Sequence, residues 1–250
     1  MAADLVQYLK EADAILVFTG AGISTSSGIP DYRGPQGVWK TRQPVYYQTF
    51  MSSDEARIEY WDQKADDWDN YRDARPNAVH QAVATLEQKG KLHMCVTQNI
   101  DGLHEKAGTS RDLLVELHGT NSQVECQKCG DRSDPQAHFD AFRKTRKPPE
   151  CGGCGGYLKP ATISFGQALR NEDMKRAAEA AMHCDLVIAL GSTLSVYPAA
   201  EIPLVAAQRG AAYVIINRGP TDHDSLSLVS LRLDGDVVEI FAPAVKSAFD

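Results

Sequence analysis

The sequence predicts a doubly wound α/β fold, a parallel sheet covered by helices on both faces, with a smaller lobe built from two insertions. Short β-branched runs, apolar on both faces, alternate with helical stretches, the pattern of a buried parallel sheet. Two segments break that alternation, and one of them contains two Cys-x-x-Cys pairs. A length of 250 residues accommodates one large core with a modest appended lobe.

Strands are expected over 14–18, 92–97, 113–117, 185–190, 213–217 and 237–241, and helices over 77–88, 171–183 and 199–209. The first interruption, 39–75, is helical in composition and rich in aromatics and acids, with Asp54, Glu55, Glu59, Asp62, Asp66, Asp67, Asp69 and Asp73 against Arg57, Lys64 and Arg72. That charge pattern reads as a solvated helix face. The second, 119–160, holds the paired cysteines and the basic run Arg143-Lys144-Thr145-Arg146-Lys147, and reads as a polar loop. The division that follows is a core of 1–38, 76–118 and 161–250, with 39–75 and 119–160 forming the lobe.

Composition narrows the class. At 43% hydrophobic and 24% charged, the chain is too apolar to be disordered and lacks the repeats of a fibrous protein. A net charge of −7 argues against a general nucleic-acid binder, and the short basic run reads as a solvated loop. No apolar run approaches the ~20 residues that span a bilayer. The N-terminal residues show no basic segment followed by an apolar stretch, so a cytoplasmic enzyme is expected.

Four of the six cysteines form two pairs, Cys126/Cys129 and Cys151/Cys154, separated by 21 residues. Each Cys-x-x-Cys turn offers two thiolates at one corner of a tetrahedron, so two turns close a zinc site with no open position. Iron–sulfur ligation or two redox dithiols are the alternatives. The glycines at 130, 152, 153, 155 and 156 relax the turns and favour zinc, whose role would be structural. Cys95 and Cys184 sit singly in or beside apolar runs and read as packing residues.

The first strand runs into Thr19-Gly20-Ala21-Gly22-Ile23-Ser24, a strand, glycine turn and helix start able to bring backbone N–H groups to a pyrophosphate. It is not the dehydrogenase fingerprint. Thr25 stands where a third glycine belongs, and no acidic residue occurs around Lys40-Thr41-Arg42. A dinucleotide site of another kind is the better reading. The proline-stiffened loop 28–35 adds Asp31, Tyr32 and Arg33: an arginine to neutralise phosphate and a ring to cover a sugar or cationic ring.

These residues, with Thr97-Gln98-Asn99-Ile100-Asp101-Gly102-Leu103-His104, Leu117-His118-Gly119 and the double Cys-x-x-Cys, closely resemble the sirtuin family of NAD-dependent protein deacylases, in the family's order. The resemblance covers nearly the whole chain. It implies a Rossmann-like domain and a helical-plus-zinc lobe, with NAD and acyl-lysine meeting between them. It assigns Gly20, Ala21, Gly22 and Arg33 to the pyrophosphate, and Asp31 and Tyr32 to a cofactor loop. Gln98, Asn99, Ile100 and Asp101 fall to the nicotinamide ribose and carboxamide. Gly191, Ser192 and Thr193 form a further phosphate and ribose turn, Asn217 meets the adenosine ribose, and Asp236 and Val237 flank the adenine. Ile163, Phe165, Gly166 and Val196 would hold the peptide between two strands.

His118 is the implied catalytic base. The acyl oxygen attacks the anomeric carbon of the nicotinamide ribose, nicotinamide leaves, and His118 takes a proton from the ribose diol. The 2′-hydroxyl then attacks the resulting imidate carbon, and hydrolysis releases free lysine and O-acyl-ADP-ribose, so the enzyme is formally an acyltransferase. An NAD glycohydrolase or ADP-ribosyltransferase using the same pocket is the alternative. The chain departs from the family at Tyr32, usually Phe, at the Ser192-Thr193 order, and at Gln167, usually Glu. The Tyr-x-x-Arg pair of succinyl- and malonyl-removing members is absent: Gln63 follows Tyr60, and Ala74 follows Tyr71. Acetyl or a longer uncharged acyl group is therefore expected. The other six histidines read as structural or surface residues.

Overall fold

A computed structural model describes residues 2–34 and 37–250. The last residue of the 28–35 loop, Pro35, lies outside the described residues. Among them, six strands form one parallel sheet: β1 (Ile15–Thr19), β2 (Leu92–Thr97), β3 (Leu114–Glu116), β7 (Leu186–Leu190), β8 (Ala212–Asn217) and β9 (Leu231–Asp234), in the order β3-β2-β1-β7-β8-β9. Alternate side chains of β1 feed opposite layers. Ile15 and Val17 pack under α1 (Ala2–Glu11), α4 (Ala78–Gln88) and α9 (Val237–Phe249), through Leu5, Val83 and Phe241. Leu16 and Phe18 face α7 (Asn171–His183) and α8 (Glu201–Gln208), through Ala181 and Ile202. Both faces are dry, which is why these strands read as continuous apolar runs. Among the described residues, no helix is long and apolar enough to cross a membrane.

The chain leaves β1 toward β2 on one side, and β7 lies on the other. A crevice therefore opens at the carboxyl ends of β1 and β7, the topological switch point where doubly wound sheets bind ligands. A second, antiparallel sheet of β4 (Gly119–Cys126), β5 (Arg132–Ser133) and β6 (Leu158–Thr162) stands beside it, ordered β5-β4-β6. Against this sheet pack α3 (Asp54–Asp73) and α6 (Pro135–Thr145), preceded by the short α2 (Tyr47–Ser52). Ala56, Tyr60, Trp61, Ala65 and Trp68 recur at helical spacing along α3 and are buried. Trp68 stacks on Phe139 at 4.6 Å, Trp61 meets the same ring at 5.2 Å, and Trp61 Nε1 donates to Leu158 O (3.0 Å).

Three expectations are corrected. Residues 237–241 are helix, not strand: Val237, Phe241, Ala244 and Val245 are buried at helical spacing, and Asp236 caps the helix by accepting from Val238 N (2.8 Å). The edge strand lies just before it, at Leu231–Asp234, where a Leu-Arg-Leu alternation is too short to stand out. The segment 119–160 is not a polar loop but most of the second sheet plus α6, whose last turn contains Arg143 and Lys144. The acidic face of α3 is only partly solvated. Asp69 pairs with Arg143, Asp62 with Arg146, and Asp66 and Asp67 with Arg42. The acidic row and the basic run are thus two sides of one clasp, though surface pairs of this kind each contribute only about 0–1 kcal/mol.

Candidate active site

The crevice widens into a cleft of about 1620 Å³ between the parallel sheet and the second lobe. That exceeds the ~300–1,000 Å³ of a pocket for one drug-sized ligand, and leaves room for two. Its floor is a crossing of two glycine turns. Gly22 N donates to Gly191 O and Gly20 N to Leu190 O, both at 2.9 Å. A Cβ on Gly20 would stand 2.7 Å from Gly191 O, and one on Gly22 2.8 Å from it, so only glycine lets the backbones touch. The expected helix start is instead two 3-10 turns, Ala21–Ile23 and Thr25–Ser27, ended by Gly28 at φ 86°. Asn77 ties them to α4 by donating to Ile23 O (2.8 Å) and Ser27 Oγ (2.9 Å).

His118 follows β3 and faces this floor. Its Nδ1 lies 2.9 Å from Gln98 O, and a carbonyl can only accept, so Nδ1 carries the proton and Nε2 keeps its lone pair. Burial lowers the imidazole from its ordinary value, against the raising effect of the Gln98 bond, and so favours the neutral ring. Asn99 Nδ2 donates to Gly20 O and Ser24 Oγ (3.2 Å each), and Ser24 Oγ donates to Asp101 Oδ2 (2.8 Å). Asp101 Oδ1 accepts from Leu103 N (2.9 Å), and burial raises its carboxyl above the usual range. Gln98 Nε2 reaches Ser192 Oγ (2.9 Å), joining the β2 and β7 turns.

The opposite wall comes from the 163–167 loop and the segments packed on it. Ile163 N donates to His118 O (2.7 Å), fixing the 163–167 loop to the histidine. Gln48 Nε2 and Tyr47 N hold this loop through Gly166 O and Phe165 O. Gln167 Oε1 accepts from Ser164 N (3.1 Å), a bond an amide makes as well as the acid expected there. Tyr32, Trp39 and Phe165 form a ladder of rings at successive 5.2 Å spacings, with the Arg33 guanidinium 4.1 Å over Trp39. Phe165 and Tyr197 are among the few large apolar side chains left exposed, and both line the cleft. Beside Tyr197, Leu194 is held at φ 56°, a costly conformation for a branched residue and one that clusters at functional sites.

Gly20, Ala21, Gly22, Asp31, Tyr32, Arg33, Gln98, Asn99, Ile100, His118, Ile163, Phe165, Gly166, Gly191, Ser192, Thr193, Val196, Asn217, Asp236 and Val237 all line the cleft. Asp101 does not; it lies behind Ser24 and Asn99, with both oxygens already engaged. Asn217 Nδ2 is turned to its own loop, donating to the carbonyls of Arg218 and Gly219. Reasoning from the sequence missed Ser24, Trp39, Tyr60, Lys64 and Tyr71. Ser24 adjoins the glycine turn and could have been read as its polar support. The others lie on insertion segments whose period and charge say nothing about which face meets a ligand.

The four paired cysteines gather away from the cleft, their sulfurs all within 4.8 Å of one another. Cys126 Sγ and Cys154 Sγ are 3.5 Å apart, Cys129 Sγ and Cys151 Sγ 3.8 Å. A tetrahedron with Zn–S near 2.3 Å has sulfur–sulfur edges of about 3.8 Å, so the donor set fits one zinc ion. Four thiolates and no open position give it a structural role, bracing the turns on either side of α6.

A sequence model described as the Sir2 family matches residues 20–198. The NAD-dependent protein deacetylase of Rhodopseudomonas palustris is 42% identical over 237 residues, covering 95% of this chain and 93% of the relative. NAD-dependent protein deacetylase 1 of Bradyrhizobium diazoefficiens is 40% identical, with 95% and 92% coverage. Among solved structures, a Sir2 protein with a deacetylated peptide and 3′-O-acetyl-ADP-ribose superposes with a TM-score of 0.89 at 33% identity, covering 99% of this chain and 98% of that one. A Sir2 complex with peptide and NAD⁺ gives a TM-score of 0.87 at 33% identity, with the same coverage. With the family match spanning most of its length and near-complete relatives above 30% identity, the chain belongs to the Sir2 family, the sirtuins.

Proposed function

We propose that this protein removes acetyl, or longer uncharged acyl, groups from protein lysines, using NAD as co-substrate and giving nicotinamide, O-acyl-ADP-ribose and free lysine. The observation that carries the reading is His118, its Nδ1 2.9 Å from Gln98 O and its Nε2 without a partner among the described residues, in a cleft floored by two touching glycine turns. When bound, the dinucleotide supplies the electrophilic ribose carbon. The chain's own residues do the rest. Gly20, Ala21, Gly22, Arg33, Gly191, Ser192 and Thr193 cradle the phosphates and adjoining riboses, while Asn217, Asp236 and Val237 take the adenosine end. Asn99 and Gln98 orient the nicotinamide ribose, with Ile100 beside the carboxamide and Asp101 acting through Ser24. Asp31 and Tyr32 cover the site. His118 Nε2 removes the ribose hydroxyl proton, and Ile163, Phe165, Gly166 and Val196 align the peptide. The zinc is held by Cys126, Cys129, Cys151 and Cys154. The same reading keeps the division at 39–75 and 119–160 for the lobe, and a reducing, cytoplasmic setting in which those thiols stay free for metal.

Mass spectrometry of products formed from NAD and an acetyl-lysine peptide tests the activity. Deacetylated peptide and O-acetyl-ADP-ribose should appear together. Free ADP-ribose formed as fast without peptide would instead indicate a glycohydrolase. With matched acetyl and succinyl peptides, kcat/KM should favour acetyl. A tenfold preference for succinyl would overturn the argument from the missing Tyr-x-x-Arg arginine.

The pH profile gives a second check. Only the neutral imidazole can take a proton, and burial places the His118 pKa below 6.5. The acid limb of kcat/KM should therefore lie below pH 6.5, falling about tenfold per pH unit beneath it. A limb centred above pH 6.5 would mean that His118 is stabilised as a cation.

A further inference from the structure

Behind the cleft floor, two buried imidazoles leave nitrogens unused. His80 on α4 and His104 on α5 (Leu103–Lys106) have ring centroids 5.0 Å apart. Asn77 N donates to His80 Nδ1 (3.2 Å), so the neutral ring carries its proton on Nε2, which has no partner among the described residues. At the other ring, His104 Nε2 lies 3.1 Å from Thr19 Oγ1, which already gives its own proton to Thr97 Oγ1 (2.8 Å). Nε2 of His104 must then donate, leaving Nδ1 as a bare lone pair, and that atom too has no partner among the described residues. An orphan donor and an orphan acceptor thus belong to neighbouring rings. Burial lowers His80 to about 4 and His104 to about 3, keeping both neutral as this arrangement requires.

The far end of the relay lies under the proposed dinucleotide site. Thr97 Oγ1 also accepts from Asn99 N (3.0 Å), Thr97 O from Leu117 N (2.9 Å), and Thr19 O from Gln98 N (2.9 Å). These two threonines therefore anchor the backbone that carries Gly20, Gln98, Asn99 and His118. We propose that His104 is a positioning residue for the NAD site: it donates to Thr19, fixes the Thr19–Thr97 pair beneath Gln98 and Asn99, and is itself packed against the His80 ring. The proposal rests on the NAD-dependent reading of the cleft.

The test separates positioning from packing. In His104→Gln, the amide nitrogen stands near Nε2 and retains the donor to Thr19; in His104→Leu, comparable volume remains without it. The Leu variant should raise KM for NAD about tenfold or more, the scale of one lost buried hydrogen bond, while the peptide KM stays unchanged. The Gln variant should recover most of that loss. A folded Leu variant with the wild-type NAD KM, or a Gln variant no better than Leu, overturns the proposal. Nitrogen-15 NMR of the wild-type protein supplies a readout that needs neither turnover nor a variant. His104 should be the Nε2–H tautomer, and finding Nδ1–H would refute the relay even if deacylation is confirmed. The Nε2–H tautomer in a protein without deacylase activity would leave the relay standing and the functional reading refuted.

Discussion

Replacing His118 with alanine should lower deacylation by about 10²–10⁴-fold, the usual contribution of a positioned general base, while leaving NAD binding, peptide binding and metal content unchanged. The expectation follows from the ring's environment. Gln98 O fixes the tautomer, burial favours the neutral ring, and Ile163 N ties the histidine backbone to the substrate loop, so the ring lines the cleft in a set orientation. Nearby carboxylates are poor substitutes. Asp101 has both oxygens committed to Ser24 and Leu103, and Asp31 accepts from Gly34 N (2.8 Å) to close its own loop. Because the proposed mechanism takes the proton after nicotinamide has left, nicotinamide release in a single turnover should suffer less than formation of O-acyl-ADP-ribose. A variant retaining more than a tenth of wild-type deacylation, or losing both steps equally, would remove His118 from the role of base.

What the sequence revealed depended on how local the signal was. Buried parallel strands carry their apolar pattern within five or six residues, so β1, β2, β7 and β8 were legible almost to the residue. The run Val237-Val238-Glu239-Ile240-Phe241 was not, because a short β-branched stretch looks alike in a strand and in the first turns of a buried helix. Its disambiguating features, the Asp236 cap and the continuation to Val245, lie outside a five-residue window. The paired cysteines were legible because ligand spacing is itself local. By contrast, Arg143 and Asp69 are 74 positions apart, and nothing in either neighbourhood announces their pairing. The same holds for the site. Gly20, Gly22 and His118 stand in short motifs, whereas the retreat of Asp101 behind Ser24, and the approach of Trp39 to Phe165, arise only when distant segments fold together.

Removing the zinc should unfold the smaller lobe while the parallel sheet survives. Cys126 and Cys151 are buried members of the cluster that includes Trp61, Trp68, Phe139 and Phe142, so the metal is continuous with the lobe's core. That core is small, and an apparent binding energy of about 10–16 kcal/mol for a structural zinc site is as large as the burial of all its rings together. The large sheet draws on separate clusters on its two faces and contains none of these residues. The chain's three tryptophans, Trp39, Trp61 and Trp68, all lie in the 39–75 insertion, so tryptophan fluorescence reports that segment alone. Chelation, or Cys126→Ser, should shift that emission to the red and abolish deacylation, since Tyr60 and Lys64 on α3 help line the cleft and Tyr47 and Gln48 hold the Phe165–Gly166 loop. Far-ultraviolet circular dichroism should retain most of its amplitude, because most of the helices and the six-stranded sheet lie outside the lobe. Readdition of zinc should restore both signals in the wild-type chain but not in the serine variant. Unchanged tryptophan emission after complete metal removal would show that the aromatic cluster holds the lobe unaided, and the zinc would then need another role.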